Sequence, residues 1–360
     1  MRVEIGEQPE ALRRTFEALL PQVGELRAAA RDTRQVLFIA RGSSDNAAVY
    51  GQYLCSARAG RLASLAAPSL ATVYAARLDL RGVLAVAVSQ SGATEEIRTT
   101  LDWARACGAR TVAVTNQPGS PLAEAADATL VTRAGDERAV PATKTYTTQL
   151  AAMAVLATAL SGSPGAPGGG NPAGGSRGGR GGGIDLEALG RVPEAAAGML
   201  AVAPAAEALA ERLVGADTLV VSGRGFAYST ALELALKLKE ACYLTAVGLS
   251  YADLVHGPIA IVDPGTPALL VAAGDGPMVP EMTGLAQRIG AAGASVYGIG
   301  GDPGFAAACR AALPGPALPE HLAPLALVVP GQLLAEALAR AKGIDPDAPR
   351  GLRKVTQTGA

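Results

Sequence analysis

The second half of this 360-residue chain repeats the order of the first at a nearly fixed offset, which restricts the possible folds more than any other feature. Residues 35–40 form a short apolar run that ends in Arg41-Gly42, and residues 218–222 form another that leads to Arg224-Gly225. Gly108-Ala109 precedes the run 111–115 as Gly293-Ala294 precedes 296–299, and Pro118-Gly119 answers Pro303-Gly304. Gln149-Leu150, read as opening an apolar helix, answers Gln332-Leu333 opening another. The matched features lie 183 to 185 residues apart, an offset that chance likeness would scatter. The chain is expected to fold as one architecture made twice.

Within each half, short strand-like runs (residues 83–88, 111–115, 129–132 and 268–272) alternate with Ala/Leu/Glu/Arg segments at helical spacing. That alternation gives a parallel sheet covered by helices. The run Val83-Leu84-Ala85-Val86-Ala87-Val88 is apolar throughout, as a sheet buried on both faces requires. The predicted fold class is α/β, with two tandem doubly wound, flavodoxin-like parallel-sheet domains. Ligands of such sheets bind where strands end and helices begin.

Between the halves, residues 161–183 read SGSPGAPGGGNPAGGSRGGRGGG, with no apolar side chain larger than Ala or Pro. Such a tract gains too little by burial to offset its ordering entropy and reads as a flexible linker. Two arginines, Arg177 and Arg180, without an aromatic residue do not make it an RNA-binding tail. The expected divisions are an N-terminal helical segment (1–33), a first domain (34–160), the disordered Gly-rich linker (161–183), a second domain (184–340) and a C-terminal tail (341–360).

Thirty-one Lys+Arg against 32 Asp+Glu leave a net charge of −1, so no global field draws the chain to nucleic acid or an anionic membrane. No apolar run reaches the ~18 residues a spanning helix needs. Met1-Arg2-Val3-Glu4 lacks a signal pattern, and the four cysteines contain no C-x-x-C pair. These features predict a cytoplasmic protein with reduced thiols. Any anionic ligand must be held by local geometry.

The run Val83–Val88 leads into Ser89-Gln90-Ser91-Gly92-Ala93-Thr94 and then a helical segment from Glu95. Unpaired backbone N–H groups at a helix start, a glycine that permits close approach and three hydroxyls suit a phosphate monoester. Ser and Thr at such positions also serve simply as helix caps, and both roles stay open on the residues alone. Arg41-Gly42-Ser43-Ser44 follows the first strand in the same way, adding hydroxyls at the same sheet edge. Neither loop matches the lysine-bearing phosphate loop of nucleotide hydrolases or the dinucleotide fingerprint, so neither ATP nor NAD is expected. No His/Cys/Asp grouping has metal-ligand spacing, and no cofactor is expected.

In the second half, Glu233, Lys237 and Glu240 share one helix face at i, i+4 and i+7. An exposed, salt-bridged stripe is the commoner use of that spacing. His256, in Asp253-Leu254-Val255-His256-Gly257-Pro258, is read as sitting in a turn before an apolar strand at 259–262, where it could shuttle a proton. The other histidine, His321, is read as a structural loop residue.

These segments together resemble the sugar isomerase domain family: the isomerase half of glucosamine-6-phosphate synthase and its stand-alone relatives, the amino-sugar-phosphate deaminases. The resemblance rests on Arg41-Gly42-Ser43-Ser44, Ser89-Gln90-Ser91-Gly92-x-Thr94 and Thr143-Lys144-x-x-Thr147-Thr148-Gln149-Leu150. It rests equally on residues 231–240, His256-Gly257-Pro258 and the tail Pro349-Arg350-Gly351-Leu352-x-Lys354-Val355. It implies that Gly42, Ser43, Ser44, Ser89, Gln90, Ser91 and Thr94 surround a hexosamine or hexose 6-phosphate, with Val140 beside the sugar. It implies that Glu240 moves a proton between C1 and C2, that Glu233 and Lys237 orient and tune it, and that Lys354 closes over the open-chain sugar. It also implies that His256 assists ring opening from the partner subunit of a homodimer.

A glutaminase half is not expected, because Arg2 stands where such a domain would begin with a nucleophilic cysteine. The resemblance therefore implies a hexosamine-6-phosphate deaminase/isomerase. The chain departs from the family with Thr245-Ala246-Val247 for His-Ala-Glu, Asp253 for Glu and Ala142 for Ser. Once Glu240 has formed an enediol, such a site can isomerise the sugar, expel the amine or eliminate a hydroxyl, and its lining chooses. Dehydration or deglycation of an N-substituted hexosamine 6-phosphate is the alternative enzyme reading. A non-catalytic sugar-phosphate sensor is the alternative from another class.

Overall fold

The computed structural model describes residues 1–161 and 183–354. The expected linker therefore lies almost wholly outside the described residues, as does the end of the tail beyond Lys354. Among the described residues ten strands form two sheets. The first sheet comprises β1 (Gln35–Ile39), β2 (Leu62–Leu65), β3 (Val83–Val88), β4 (Arg110–Thr115) and β5 (Ala128–Val131). The second comprises β6 (Thr218–Gly223), β7 (Thr245–Ser250), β8 (Ala268–Ala272), β9 (Val296–Gly300) and β10 (Ala311–Leu313).

The spatial orders are β2-β1-β3-β4-β5 and β7-β6-β8-β9-β10, the same topology twice, with every pairing parallel. This is the doubly wound 2-1-3-4-5 order, which reverses direction at its first strand. The expected α/β fold and its duplication are present. Registers repeat as well: Ile39 pairs with Ala87 in the first sheet and Ser222 with Leu270 in the second.

Seven helices carry the argument: α1 (Ser43–Ala57), α2 (Glu95–Ala106), α3 (Lys144–Ser161), α4 (Ala203–Leu213), α5 (Ala227–Cys242), α6 (Val279–Ala291) and α7 (Pro324–Ala341). All six residues of β3 and all five of β8 are buried, as strands covered on both faces must be. Ile97, Leu101 and Ala104 of α2, at i, i+4 and i+7, pack on Ala85 and Ala87. Met282, Leu285, Ala286 and Ile289 of α6 pack on Ala268 and Leu270 in the same manner. Among the described residues no single helix is long and apolar enough to cross a membrane.

The chain resolves into two compact units. One holds residues 10–137, 144–161 and 183–186; the other holds Met1–Pro9, Arg138–Thr143 and Glu187–Lys354. Residues 138–143 are bound into the second unit by Glu4, whose Oε1 accepts from Ala139 N at 3.1 Å, and by Val140 N, which donates to Asp347 O at 2.9 Å.

Two expectations about elements are corrected. Residues 259–262 are no strand: Pro258–Ile261 form a 3₁₀ turn, and Ile261 is 43% exposed. Gly257 at φ 134° reverses the chain, and Pro258 supplies no N–H for a ladder. Gln149 and Gln332 lie inside their helices rather than opening them. Helix α3 begins at Lys144 because Glu137, from outside the helix, accepts from Thr145 N at 3.1 Å and from Thr145 Oγ1 at 2.6 Å. A cap supplied by tertiary structure leaves no local signal.

A candidate phosphate cradle and a buried charged line

The loop leaving β3 is fixed by its backbone. Ser89 N donates to Val114 O, Asn116 N to Gln90 O and Leu122 N to Gly92 O, each at 3.0 Å. Gly92 has φ 61°, and a Cβ there would stand 2.1 Å from Ser120 Oγ and 2.9 Å from Thr115 Oγ1, so only glycine fits. Thr94 occupies the N-cap of α2 in an extended conformation, yet its side chain makes no capping bond. Ser89 Oγ lies 3.5 Å from Thr94 Oγ1, the outer limit of a hydrogen bond. Ser91 Oγ accepts from Ala93 N at 3.2 Å, holding the turn. The capping reading therefore fails for Thr94, and hydroxyls gather at the start of a twelve-residue helix without serving it.

The loop after β1 sits in the same unit. Gly42 has φ 60°, and a Cβ there would meet nothing within 4 Å. Ser43 opens α1 and is half-buried, whereas Ser44 is buried and its Oγ accepts from Gln149 Nε2 of α3 at 3.0 Å. Ser44 thus anchors a helix pair, and its hydroxyl proton is its remaining means of meeting a ligand. Arg41 reaches from this loop to Glu96 in the first turn of α2, with Nε–Oε2 3.0 Å and Nη2–Oε1 3.2 Å. Glu95 is paired with Arg98 at 2.5 Å, which holds its carboxyl below the usual range. Burial pushes Asp45, in the first turn of α1, up from the usual aspartate value, and Arg41 opposes the shift.

In the other unit, α5 places its charged line inward. Glu233 and Lys237 are fully buried and the Glu240 side chain is 24% exposed. Lys237 Nζ contacts Glu240 Oε2 and lies 3.5 Å from Glu233 Oε1, bridging two carboxylates. The exposed-stripe reading is excluded. An ammonium this deep carries a desolvation penalty of several kcal/mol, offset by the two carboxylates. Glu240 alone reaches solvent and has one oxygen aimed at a cation, a suitable arrangement for a proton-transfer carboxylate.

The helix ends at Tyr243, whose φ of 54° gives a left-handed cap. Arg350 N donates to Tyr243 Oη at 2.7 Å, and the Arg350 guanidinium stacks 4.3 Å from the ring centroid. This anchors the tail three residues from Glu240. Further along, Lys354 Nζ donates to Ala139 O at 2.6 Å, which brings Lys354 next to Val140.

His256 follows the short helix Tyr251–Val255, which Ser250 caps by accepting from Asp253 N at 3.1 Å. It is exposed, and its ring has no hydrogen-bond or ion-pair partner among the described residues. Among the described residues no hydrogen bond or ion pair joins it to Glu240. His321 is buried, edge-on to Phe226 with centroids 6.3 Å apart, consistent with its structural reading. Among the described residues no grouping of His, Cys, Asp or Glu could hold a metal.

Sequence reasoning missed the Arg41–Glu96 and Arg350–Tyr243 pairs, since each joins residues far apart in the chain. The duplication held a signal for the first. Arg224 contacts Glu281 in the other unit, at offsets of 183 and 185 residues from Arg41 and Glu96.

Fold and loops together define a duplicated, doubly wound α/β protein with hydroxyl-bearing loops at the strand-to-helix edge of one sheet. The chain belongs to the SIS domain family, whose model matches residues 30–159 and again 212–338. It is 38% identical to the glutamine–fructose-6-phosphate aminotransferase (isomerizing) of Symbiobacterium thermophilum, across 98% of this chain and 58% of that protein. The chain spans a little over half the length of the curated relatives it matches. Its fold is similar to the C-terminal domain of glucosamine-fructose-6-phosphate aminotransferase from Francisella tularensis (TM-score 0.85, 26% identity, 96% and 97% of the two chains). It is also similar in fold to glucosamine-6-phosphate deaminase from Thermotoga maritima (TM-score 0.77, 24% identity, 98% of each chain).

Proposed function

We propose that the protein is a sugar-phosphate enzyme of amino-sugar metabolism, a hexosamine-6-phosphate deaminase/isomerase that moves a proton at C2 of the open-chain sugar. The observation that carries this reading is the buried line Glu233–Lys237–Glu240, an expensive arrangement that simple ligand holding does not need. Likeness to aminotransferases described as acting on fructose 6-phosphate supports the substrate class.

In this reading the hydroxyls of Ser43, Ser44, Ser89, Ser91 and Thr94, with Gln90 and the backbone at Gly42 and Gly92, take the 6-phosphate. Val140 lines the sugar. Glu240 removes the C2 proton, which a neighbouring carbonyl or imine makes weakly acidic, and returns it at C1. Lys237 orients Glu240, Glu233 holds Lys237, and Lys354 covers the open chain from its seat at Ala139. The ketose imine then hydrolyses to fructose 6-phosphate and ammonia.

His256 assists ring opening in a homodimer, reaching the substrate of the partner subunit. Its exposure, and the exposed Leu70, Val73 and Tyr74, support an assembly that covers them. A cytoplasmic location belongs to the same reading, with which four unpaired cysteines accord.

The test is release of ammonia and fructose 6-phosphate from glucosamine 6-phosphate; a folded, inactive protein refutes deamination. Exchange of solvent deuterium into C2, lost in Glu240→Gln, identifies the base even without net turnover. A dehydratase or deglycase acting on an N-substituted substrate is the second reading. It is favoured by half-buried, uncharged Val247 on β7, whose neighbour Gly248 lies against α5. Mass spectrometry of products from N-acetylglucosamine 6-phosphate separates the two.

A further inference from the structure

The start of α2 poses an electrostatic problem. Glu95 and Glu96 suit a helix N-terminus, yet the same turn and the adjoining loop would receive a phosphate dianion, and Asp45 adds a third carboxyl from the first turn of α1. Glu95 is held by Arg98, which also contacts Asp102 at 2.8 Å further along the helix. Glu96 has only 17% of its side chain exposed and meets Arg41 through two parallel N–H···O bonds. Arg41 is thus the residue that joins the loop after β1 to the helix after β3 and faces both Asp45 and Glu96.

We propose that Arg41 is a positioning residue for phosphate capture: its hold on Glu96 draws that carboxylate aside and cancels a charge that would repel a ligand between the two hydroxyl loops. The inference rests on the cradle reading above and extends it to a residue that touches neither the phosphate nor the reacting carbons. The counterpart pair Arg224–Glu281 follows the same connection, but there the loop after β8 reads Ala273-Gly274-Asp275-Gly276-Pro277, without a hydroxyl. Joining loops is therefore common to both halves of the chain, and charge cancellation matters only where an anion arrives.

The test is calorimetric titration with inorganic phosphate and with fructose 6-phosphate at low ionic strength. Arg41→Met is expected to weaken both by about tenfold, with the loss shrinking as salt rises. Arg41→Lys, which keeps the charge and gives up the fork, stays within about threefold of wild type. Glu96→Gln binds as well as wild type or tighter, and the double variant Arg41→Met/Glu96→Gln returns to within about threefold because the unbalanced carboxylate is gone. In turnover, Arg41→Met raises KM and leaves kcat unchanged.

Unchanged affinity in a folded Arg41→Met overturns the proposal, and so does a double variant as weak as Arg41→Met. A wild-type protein that binds neither ligand overturns the cradle reading itself.

Discussion

Helices α1 and α5 occupy the same place in their sheets, and their buried positions are filled in opposite ways. Tyr50 and Leu54 of α1 are fully buried; 183 residues on, Glu233 and Lys237 of α5 are equally buried. One unit thus shows what the fold accepts when only packing matters. The other carries two buried charges where an aromatic ring and a leucine suffice. Burial itself raises the Tyr50 hydroxyl well above its usual value, so the environment disfavours charge at these positions. The loops show the reverse partition. The loops after β1 and β3 keep their hydroxyls, with open space at Gly42, while in the other unit Glu320 lies close against Gly225 and Gly276. Each half has specialised where its twin stayed structural.

The largest effect should come from breaking the charged line on one side. Lys237→Leu leaves two carboxylates without their shared cation and is expected to cost about 3–5 kcal/mol in urea unfolding, with loss of C2 exchange. Glu233→Leu/Lys237→Leu makes α5 resemble α1; its stability should match or exceed wild type while exchange stays absent. A double variant as unstable as the single would contradict this reading.

Next comes the cradle. Gly92→Ala forces a Cβ into Ser120 and is expected to cost more than about 2 kcal/mol, whereas Gly42→Ala meets open space and carries only the positive-φ penalty of about 1–2 kcal/mol, to which Gly225→Ala adds close contacts with Met278 and Glu320. Thermal melts should rank the three, and phosphate titration should separate Gly42→Ala, which loses affinity, from Gly225→Ala, which does not.

Smaller still, Ser89→Ala should weaken phosphate binding by about 1 kcal/mol while unfolding stability moves less than about 0.5 kcal/mol, since the hydroxyl caps nothing. Equal losses in both measurements would restore the capping role. The smallest effect is in pH. The Asp45 carboxyl is raised in the folded state, so its ionisation opposes folding. Its stabilising share is complete below the unfolded value near 3.8 and is lost as pH rises through the folded value. Asp45→Asn should raise Tm at pH 7 and have no effect at pH 3.

The central strands could be read in the sequence because strands covered on both faces are unbroken apolar runs, as in β3 and β8. Missed were β2, β7 and β10, all at sheet edges. Leu62 in β2 is 67% exposed, β7 has one well-buried residue, and β10 has three residues in all. An edge strand has one ladder partner and less cover, so its composition is not forced apolar. Glu233, Lys237 and Glu240 were legible as a face, because helical periodicity is local. That the face points inward was not, because burial depends on what packs against it. The pairs Arg41–Glu96 and Arg350–Tyr243 join loops whose approach the topology decides.

The two compact units exchange the chain at residues 9–10, 137–138, 143–144 and 186–187. The repeat written in the sequence is therefore not a pair of detachable modules. A cut in the glycine tract would leave the fragment 1–161 holding Ala139 and Val140 without Lys354 and Asp347, their neighbours in the folded unit. A gene split at that tract should yield two pieces that function only when mixed, and a swap of one half for a homologue's must carry the short segment Arg138–Thr143 with its proper companion.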